Sequence, residues 1–349
     1  MNCNRFPKKI ALLCLLLAGI LTGCGAKTSS PSSDTPDMPT SAFNDEDTAL
    51  IDEDTVSTAG GTASFELPEK TITVPSLTKE YTFLYFSDTH MIKLNGTESE
   101  QITENALPRM QLFTDAEGIS SADRFPEWID YANEKETDMV LFGGDIIDFP
   151  SDTNLALLKE NISRLEMPYV YTLGNHDWTY PWDYMTAEGR VAYRPLFDEF
   201  TKNNPTASIT EYEELVILSV DNSSNQLDPE ALTVVDEALA LKKPVIVIAH
   251  VPFSTNSVLE KAESMWNSPV SIGMADKGGI FPDANTLAFQ EKILAEDSPV
   301  ICVLSGHVHF ADTSMLNDNV TQIIAGAGYN GEGILLHLVP SDSAAENEN

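Results

Sequence analysis

The sequence predicts an α/β fold built on parallel strands, and three observations predict it. Apolar runs recur at 81–86, 139–142, 215–220, 245–249 and 300–304. Segments with apolar residues at helical spacing separate several of them. The runs end abruptly in Gly, Asp or His rather than in hairpin turns. Strand, helix, strand with polar strand ends indicates βαβ units, and α/β sheets place ligands at such strand ends. A chain of 349 residues that is 42% hydrophobic can also bury a sizeable core.

The N-terminus has another purpose. Arg5, Lys8 and Lys9 precede an apolar run, 10–21, followed by Thr22, Gly23 and Cys24. The run is short for a bilayer span, and a basic start, apolar centre and small residues together read as a signal peptide over 1–23. Leu21-Thr22-Gly23-Cys24 resembles the bacterial lipoprotein processing box, which implies a lipid on Cys24 and a protein anchored to the cell membrane on its extracytoplasmic side. Cys3 and Cys14 would leave with the signal. Cys302 would then have no disulfide partner, and its apolar surroundings read as packing. Residues 24–61, rich in Ser, Thr, Pro and Asp, read as a disordered acidic tether. The folded domain is expected over 62–340 and a frayed acidic tail over 341–349.

The formal charge is −34, and loss of Arg5, Lys8 and Lys9 makes it −37, because 1–23 holds no Asp or Glu. Such a surface repels nucleic-acid backbones, which disfavours polymeric nucleic acid as a partner. A small phosphorylated substrate stays compatible, since a bound metal reverses the potential locally.

Taken in order, 71–74 alternates like an edge strand and 81–86 is the first strong strand. The polar segment 91–118 reads as an insertion with some helix. Phe125, Trp128, Ile129 and Ala132 mark a helix over 121–136, leading into the strand at 139–142. A helix over 153–165 precedes the strand that opens at Pro168. Trp178, Tyr180, Trp182 and Tyr184 follow and suit either packing or a wall beside a substrate. Next come a helix near 195–201, the strand 215–220 with Asp221 as a turn residue or weak site candidate, a helix over 230–241 and the strand 245–249. The loop signals over 251–283 suggest a cap. A helix over 285–295 and strands at 300–304, 321–325 and 334–339 complete the fold.

The strand ends share one chemistry. They read Asp88-x-His90, Gly143-Gly144-Asp145, Gly174-Asn175-His176-Asp177, His250 and Gly306-His307-x-His309. Five of the chain's six histidines lie in these segments, too many for independent structural coincidences. Carboxylate, imidazole and amide donors suit first-row divalent metals, and a supply of about seven suits two ions better than one. In extended backbone, Asp88 with His90, and His307 with His309, would point the same way. The neighbouring glycines would let the chain turn beside a crowded centre.

In this order the motifs resemble the calcineurin-like metallophosphoesterase superfamily, over about 81–339. The resemblance implies an αββα sandwich of two mixed β-sheets flanked by helices. It implies two divalent ions, manganese, iron or zinc, with Asp88, His90 and His309 on the first, Asn175, His250 and His307 on the second, and Asp145 bridging. Where a related branch has a tyrosine, Asp148 stands, so a coloured ferric site is not expected. The implied activity is hydrolysis of phosphate mono- or diesters of small molecules by in-line attack of a hydroxide shared by the metals. His176 would protonate the leaving oxygen, and Asp177 would hold its imidazole or cap the following helix. The rival reading is a lipid-anchored protein that binds a metal or phosphorylated solute without turnover.

Overall fold

The structure, a computed structural model, describes residues 65–341 apart from 180–184, 205 and 275–276. The expected signal peptide, Cys24, the tether, residues 342–349 and the aromatics Tyr180, Trp182 and Tyr184 lie outside the described residues.

The elements run β1 (Glu69–Thr73), β2 (Tyr81–Phe86), α1 (Glu100–Leu112), α2 (Ser121–Glu134), β3 (Met139–Phe142), α3 (Asp152–Ile162), β4 (Tyr169–Tyr171), α4 (Asn175–Trp178) and α5 (Ala187–Tyr193). They continue with β5 (Ala207–Tyr212), β6 (Leu215–Val220), α6 (Pro229–Ala240), β7 (Val245–Ala249), α7 (Asn256–Trp266), α8 (Ala284–Ile293), β8 (Val300–Ser305), β9 (Asp312–Met315), β10 (Thr321–Ile324) and β11 (Ile334–Val339). One sheet has the order β1-β11-β2-β3-β4 and the other β5-β6-β7-β8-β10-β9. Both are mixed. The centres are parallel, β2 with β3 and β4, and β6 with β7 and β8, and antiparallel pairs occur at β11–β2, β5–β6 and β10–β9.

Strand alternation builds the layers. Phe83, Tyr85 and Leu141 of the first sheet face Ile217, Ile246, Ile248, Cys302 and Leu304 of the second, in a core between the sheets. The intervening residues Leu84, Phe86, Val140 and Phe142 turn outward onto Phe125, Trp128 and Ile129 of α2 and Leu158 of α3. On the far side Val216, Leu218 and Val247 meet Val235 of α6 and Phe289 of α8. Strands buried on both faces read as continuous apolar runs, which is why they were visible in the sequence. The result is the expected αββα arrangement. Cys302 sits inside it with its thiol pushed up to about 12 by burial, so it packs rather than reacts.

Four elements depart from expectation. The segment 251–283 contains the helix α7, whose N-cap Thr255 accepts from the Val258 amide. The strands β5 and β9 were not anticipated. Both lie at sheet edges, and their mixed burial weakens the apolar signal. The segment expected to be helical at 195–201 is a short 3₁₀ turn, Arg194–Phe197, continuing from α5.

Candidate metal centre

All the predicted donors sit at strand C-termini: Asp88 and His90 after β2, Asp145 after β3, Asn175 at the start of α4 after β4, His250 after β7, and His307 and His309 after β8. Their backbone is not extended. Asp88, His90, Asp145, His307 and His309 have φ of 55°, 42°, 52°, 70° and 56°, in the left-handed region. Such strain collects at functional sites and persists only where the surroundings fix it. Here the Asp88 amide donates to the Gly144 carbonyl at 3.0 Å and the His90 amide to that of Asp145 at 3.0 Å. The His307 amide donates to both Asp88 carboxylate oxygens at 3.0 Å. Each pair still converges on one place, through this strain rather than strand alternation.

Gly144 and Gly174 are required by close approach. Gly144 has φ +92°, and a Cβ there would lie 2.5 Å from the Gly174 amide nitrogen. A Cβ on Gly174 would overlap the Asp145 carboxylate. Packing α4 this closely lets the His176 amide donate to Asp145 Oδ1 at 2.7 Å.

The donors form two groups that meet at Asp145. Asp88, His90 and His309 bring ligand atoms within 4.8 Å of one another, and so do Asp145, His250 and His307. His90 Nε2 lies 3.0 Å from His309 Nε2 and 3.9 Å from Asp145 Oδ2, while His309 Nε2 lies 3.5 Å from Asp88 Oδ1. His250 gives its Nδ1 proton to the Gly143 carbonyl at 2.8 Å, which leaves Nε2 facing Asp145 Oδ2 at 3.1 Å. Asn175 Oδ1 is buried with no hydrogen-bond partner. Buried acceptors left in this way are rare, and this one suits a cation.

The electrostatics agree. Burial opposes ionisation of Asp88, yet the His309 contact and the neighbouring imidazoles hold it down at about 2. Asp145 lies well below the ordinary carboxylate range, with His250 and His176 overcoming its burial. Burial lowers His90 to about 4 against the pull of Asp148, and it lowers His307 to about 3 with the help of His250. Both are therefore neutral at pH 7, the form that ligates metal. His250 is raised to about 10, because the Asp145 charge outweighs its burial. The centre draws positive charge to His250 Nε2. A proton is the smallest cation that answers this, and a divalent ion fits the same donors.

The expectation that Asp177 backs the His176 imidazole is corrected. Asp177 is fully buried, and its oxygens accept from the amides of Gly174 (2.8 Å), Asp145 (3.1 Å), Ile146 (3.0 Å) and Ile147 (3.1 Å) and from the Tyr171 hydroxyl (3.1 Å). It holds the turns that carry Asp145 and Asn175. The reason is local: at the third position of α4 it folds back onto its N-cap, Gly174. Burial and the Asp145 charge raise Asp177 to about 7, against the pull of these amides. The carboxylate beside His176 is Asp148, with Oδ1 3.4 Å from His176 Nδ1 and 3.2 Å from His90 Nδ1.

Sequence reasoning missed Arg109 on α1, whose guanidinium grips both Asp148 oxygens at 2.5 and 2.6 Å. A polar insertion gave no signal that one of its side chains reaches the centre. It also missed Phe113, stacked on His90 at 4.1 Å between ring centroids, and Trp266 and Tyr329, edge-on to His309 at 5.5 and 5.8 Å. Trp178 is buried with its indole N–H on Ser223 Oγ at 2.7 Å, so it packs. Asp221 accepts from Ser223 and pairs with Arg190 and Arg194, a structural role.

Two sheets and a cluster of buried oxygen and nitrogen donors at their strand ends make a candidate metal centre in an α/β protein. The chain belongs to the calcineurin-like phosphoesterase family, whose profile matches residues 81–311. That family is dimetal-dependent. Over 191 residues it is 26% identical to a protein named "Probable glycerophosphodiester phosphodiesterase GpdQ" from Arcobacter nitrofigilis, covering 52% of this chain and 59% of that one. The match thus spans somewhat more than half of that relative's length. Similar solved structures include a dimetal phosphatase from Danio rerio, at 12% identity, a TM-score of 0.45 and coverage of 72% of this chain and 88% of that one. Another is the phosphopantetheinyl hydrolase PptH of Mycobacterium tuberculosis, at 15% identity, a TM-score of 0.36 and coverage of 72% and 92%.

Proposed function

We propose that Asp88, His90 and His309 hold one divalent ion, that Asn175, His250 and His307 hold a second, and that Asp145 is shared, in a phosphoesterase acting on small phosphate mono- or diesters. The observation that carries this reading is the pair of buried donor groups facing each other across Asp145, with the buried Asn175 Oδ1 left without a hydrogen-bond partner. When bound, two such ions supply Lewis-acid charge to the phosphoryl oxygens and acidify the attacking water. The chain's own residues do the rest. Asp88 and Asp145 supply the negative charge, buried imidazoles complete the donor sets, and Asp177 fixes the turns. His176, whose side chain is 20% exposed, stands next to Asn175 and would give a proton or hydrogen bond to the leaving oxygen. The name of the Arcobacter relative favours the diester side of this substrate class.

The test is hydrolysis of p-nitrophenyl phosphate beside bis-p-nitrophenyl phosphate by protein loaded with manganese or zinc. Chelator-sensitive turnover is expected, with the diester preferred. Absence of turnover with metals bound would overturn the reading.

The compartment belongs to the same proposal. The 1–24 segment supports export and lipid anchoring at Cys24, so the substrate would be met outside the cytoplasm. Cys24→Ala should release the protein from the membrane fraction, and retention of that variant would refute the anchor.

A further inference from the structure

His90, Asp148 and His176 form a third group of donors within 4.8 Å of one another, and by composition it resembles a third metal site. Its cation is already present. Arg109 places Nε 2.5 Å from Asp148 Oδ2 and Nη2 2.6 Å from Oδ1, a bidentate fork on a fully buried carboxylate. The same Nη2 lies 3.2 Å from His176 Nδ1. We propose that Arg109 is a positioning residue of this centre, fixing Asp148 and setting the ring orientation and tautomer of His176.

Arg109 and Asp148 compete for His176 Nδ1, and the shorter contact, from Arg109 at 3.2 Å against 3.4 Å, selects one proton arrangement. Arginine only donates, so its bond to His176 requires Nδ1 to accept, which leaves the His176 proton on Nε2, at the ring's opposite edge. Ionised Asp148 only accepts, so its contact with His90 requires Nδ1–H there and leaves the lone pair on Nε2, toward His309 and Asp145. Without Arg109, the ring would hold its proton on Nδ1 and donate it in a hydrogen bond to Asp148 Oδ1, already 3.4 Å away. The His176 ring would then present a bare Nε2, unable to donate while neutral.

The fork is built into α1. Arg109 and Phe113 are four residues apart on one face, the guanidinium lies 5.3 Å above the Phe113 ring, and that ring stacks on His90. One turn of an inserted helix thus braces two histidines of the centre.

The inference rests on the proposed roles of His90 and His176, so its test has a readout independent of turnover. In zinc-loaded protein, ¹⁵N chemical shifts of the histidine rings should show His176 protonated at Nε2. Arg109→Ala should move that proton to Nδ1 and lower kcat by about 10–100-fold with KM and metal content little changed. Arg109→Lys, which keeps a charge and the helix, should restore part of kcat, and it serves alone if Arg109→Ala does not fold. A His176 proton on Nδ1 in the unsubstituted protein would overturn the proposal. So would an Arg109→Ala variant with an unchanged His176 signal, or one whose loss is all in KM, which would mark a substrate contact. If the unsubstituted protein shows no turnover, the ring shifts still decide the tautomer.

Discussion

The two sheets contribute unequal chemistry to one centre. The first supplies Asp88, His90, Asp145 and Asn175, and with them both carboxylates; the second supplies His250, His307 and His309, imidazoles alone. The first half therefore brings negative charge that is costly to bury unpaired, and the second brings imidazoles, which carry no negative charge and attract a cation weakly by themselves. The halves also manage their backbones together. The His307 amide, from the second sheet, accounts for two of the bonds to Asp88 in the first, and the Gly306 amide donates to the His250 carbonyl within the second. A metal centre built in this way couples the sheets, because neither half is balanced without the other.

The sharpest way to break the comparison is to remove one donor from each half. Asp145→Ala takes the shared charge and should lose both metal equivalents and all measurable turnover. His250→Ala takes one imidazole donor and should lose about one equivalent while the Asp88 group keeps its own. Metal content by mass spectrometry on purified variants distinguishes the two. Equal metal loss from both would mean that Asp145 is not shared in the way proposed.

His176→Ala leaves the donor sets intact. It should retain both metals and lower turnover by about 10²–10⁴-fold, the range for a lost general acid. Metal loss in this variant would contradict its place beside, rather than on, the metals.

If the ions couple the halves, removing them should weaken the fold as well as the activity. Ligands that bind only the folded state stabilise it by about 2.7 kcal/mol at a concentration 100 times Kd. Thermal unfolding should therefore shift down on chelation and return on adding manganese or zinc. An unchanged midpoint would show that the sheets are held by their apolar core alone.

Much of this was legible in the sequence, and what was not has identifiable causes. The central strands β2, β3, β6, β7 and β8 were visible because burial on both faces makes them continuous apolar runs. The edge strands β5 and β9 were hidden because partial exposure mixes their composition. The donors were legible as residue types at strand ends, but not as left-handed backbone, since Asp and His adopt that conformation with no glycine to mark it. Asp177 and Asp148 were harder. Both are aspartates near a strand end, and only the fold shows that one faces backbone amides while the other faces Arg109 and two imidazoles. Arg109 could not be placed at all, because its position depends on how an insertion folds against the loops that follow β2 and β3.

The smallest expected effect concerns how that insertion is held. Past α1 the chain turns at Asp115, whose carboxylate accepts from the amides of Glu117 at 3.0 Å and Ile119 at 2.8 Å and pairs with Arg124 of α2. Burial would raise the Asp115 carboxyl, but Arg124 and these amides hold it below its ordinary 3.8. A carboxyl lowered in the folded state stabilises it fully above the unfolded value and loses that contribution as pH falls through the folded one. Stability should thus decline below about pH 4, and Asp115→Asn should flatten that decline while costing about 1–3 kcal/mol at neutral pH. Urea midpoints at pH 6 and pH 3 for both proteins check it. Because Asp115 lies beyond the α1 turn that carries Arg109 and Phe113, the same variant should loosen the brace on His176 before it disturbs the second sheet. A fall in kcat accompanied by full metal retention would reveal this, and unchanged kcat would show that α1 is held by its own packing on the loops after β2 and β3.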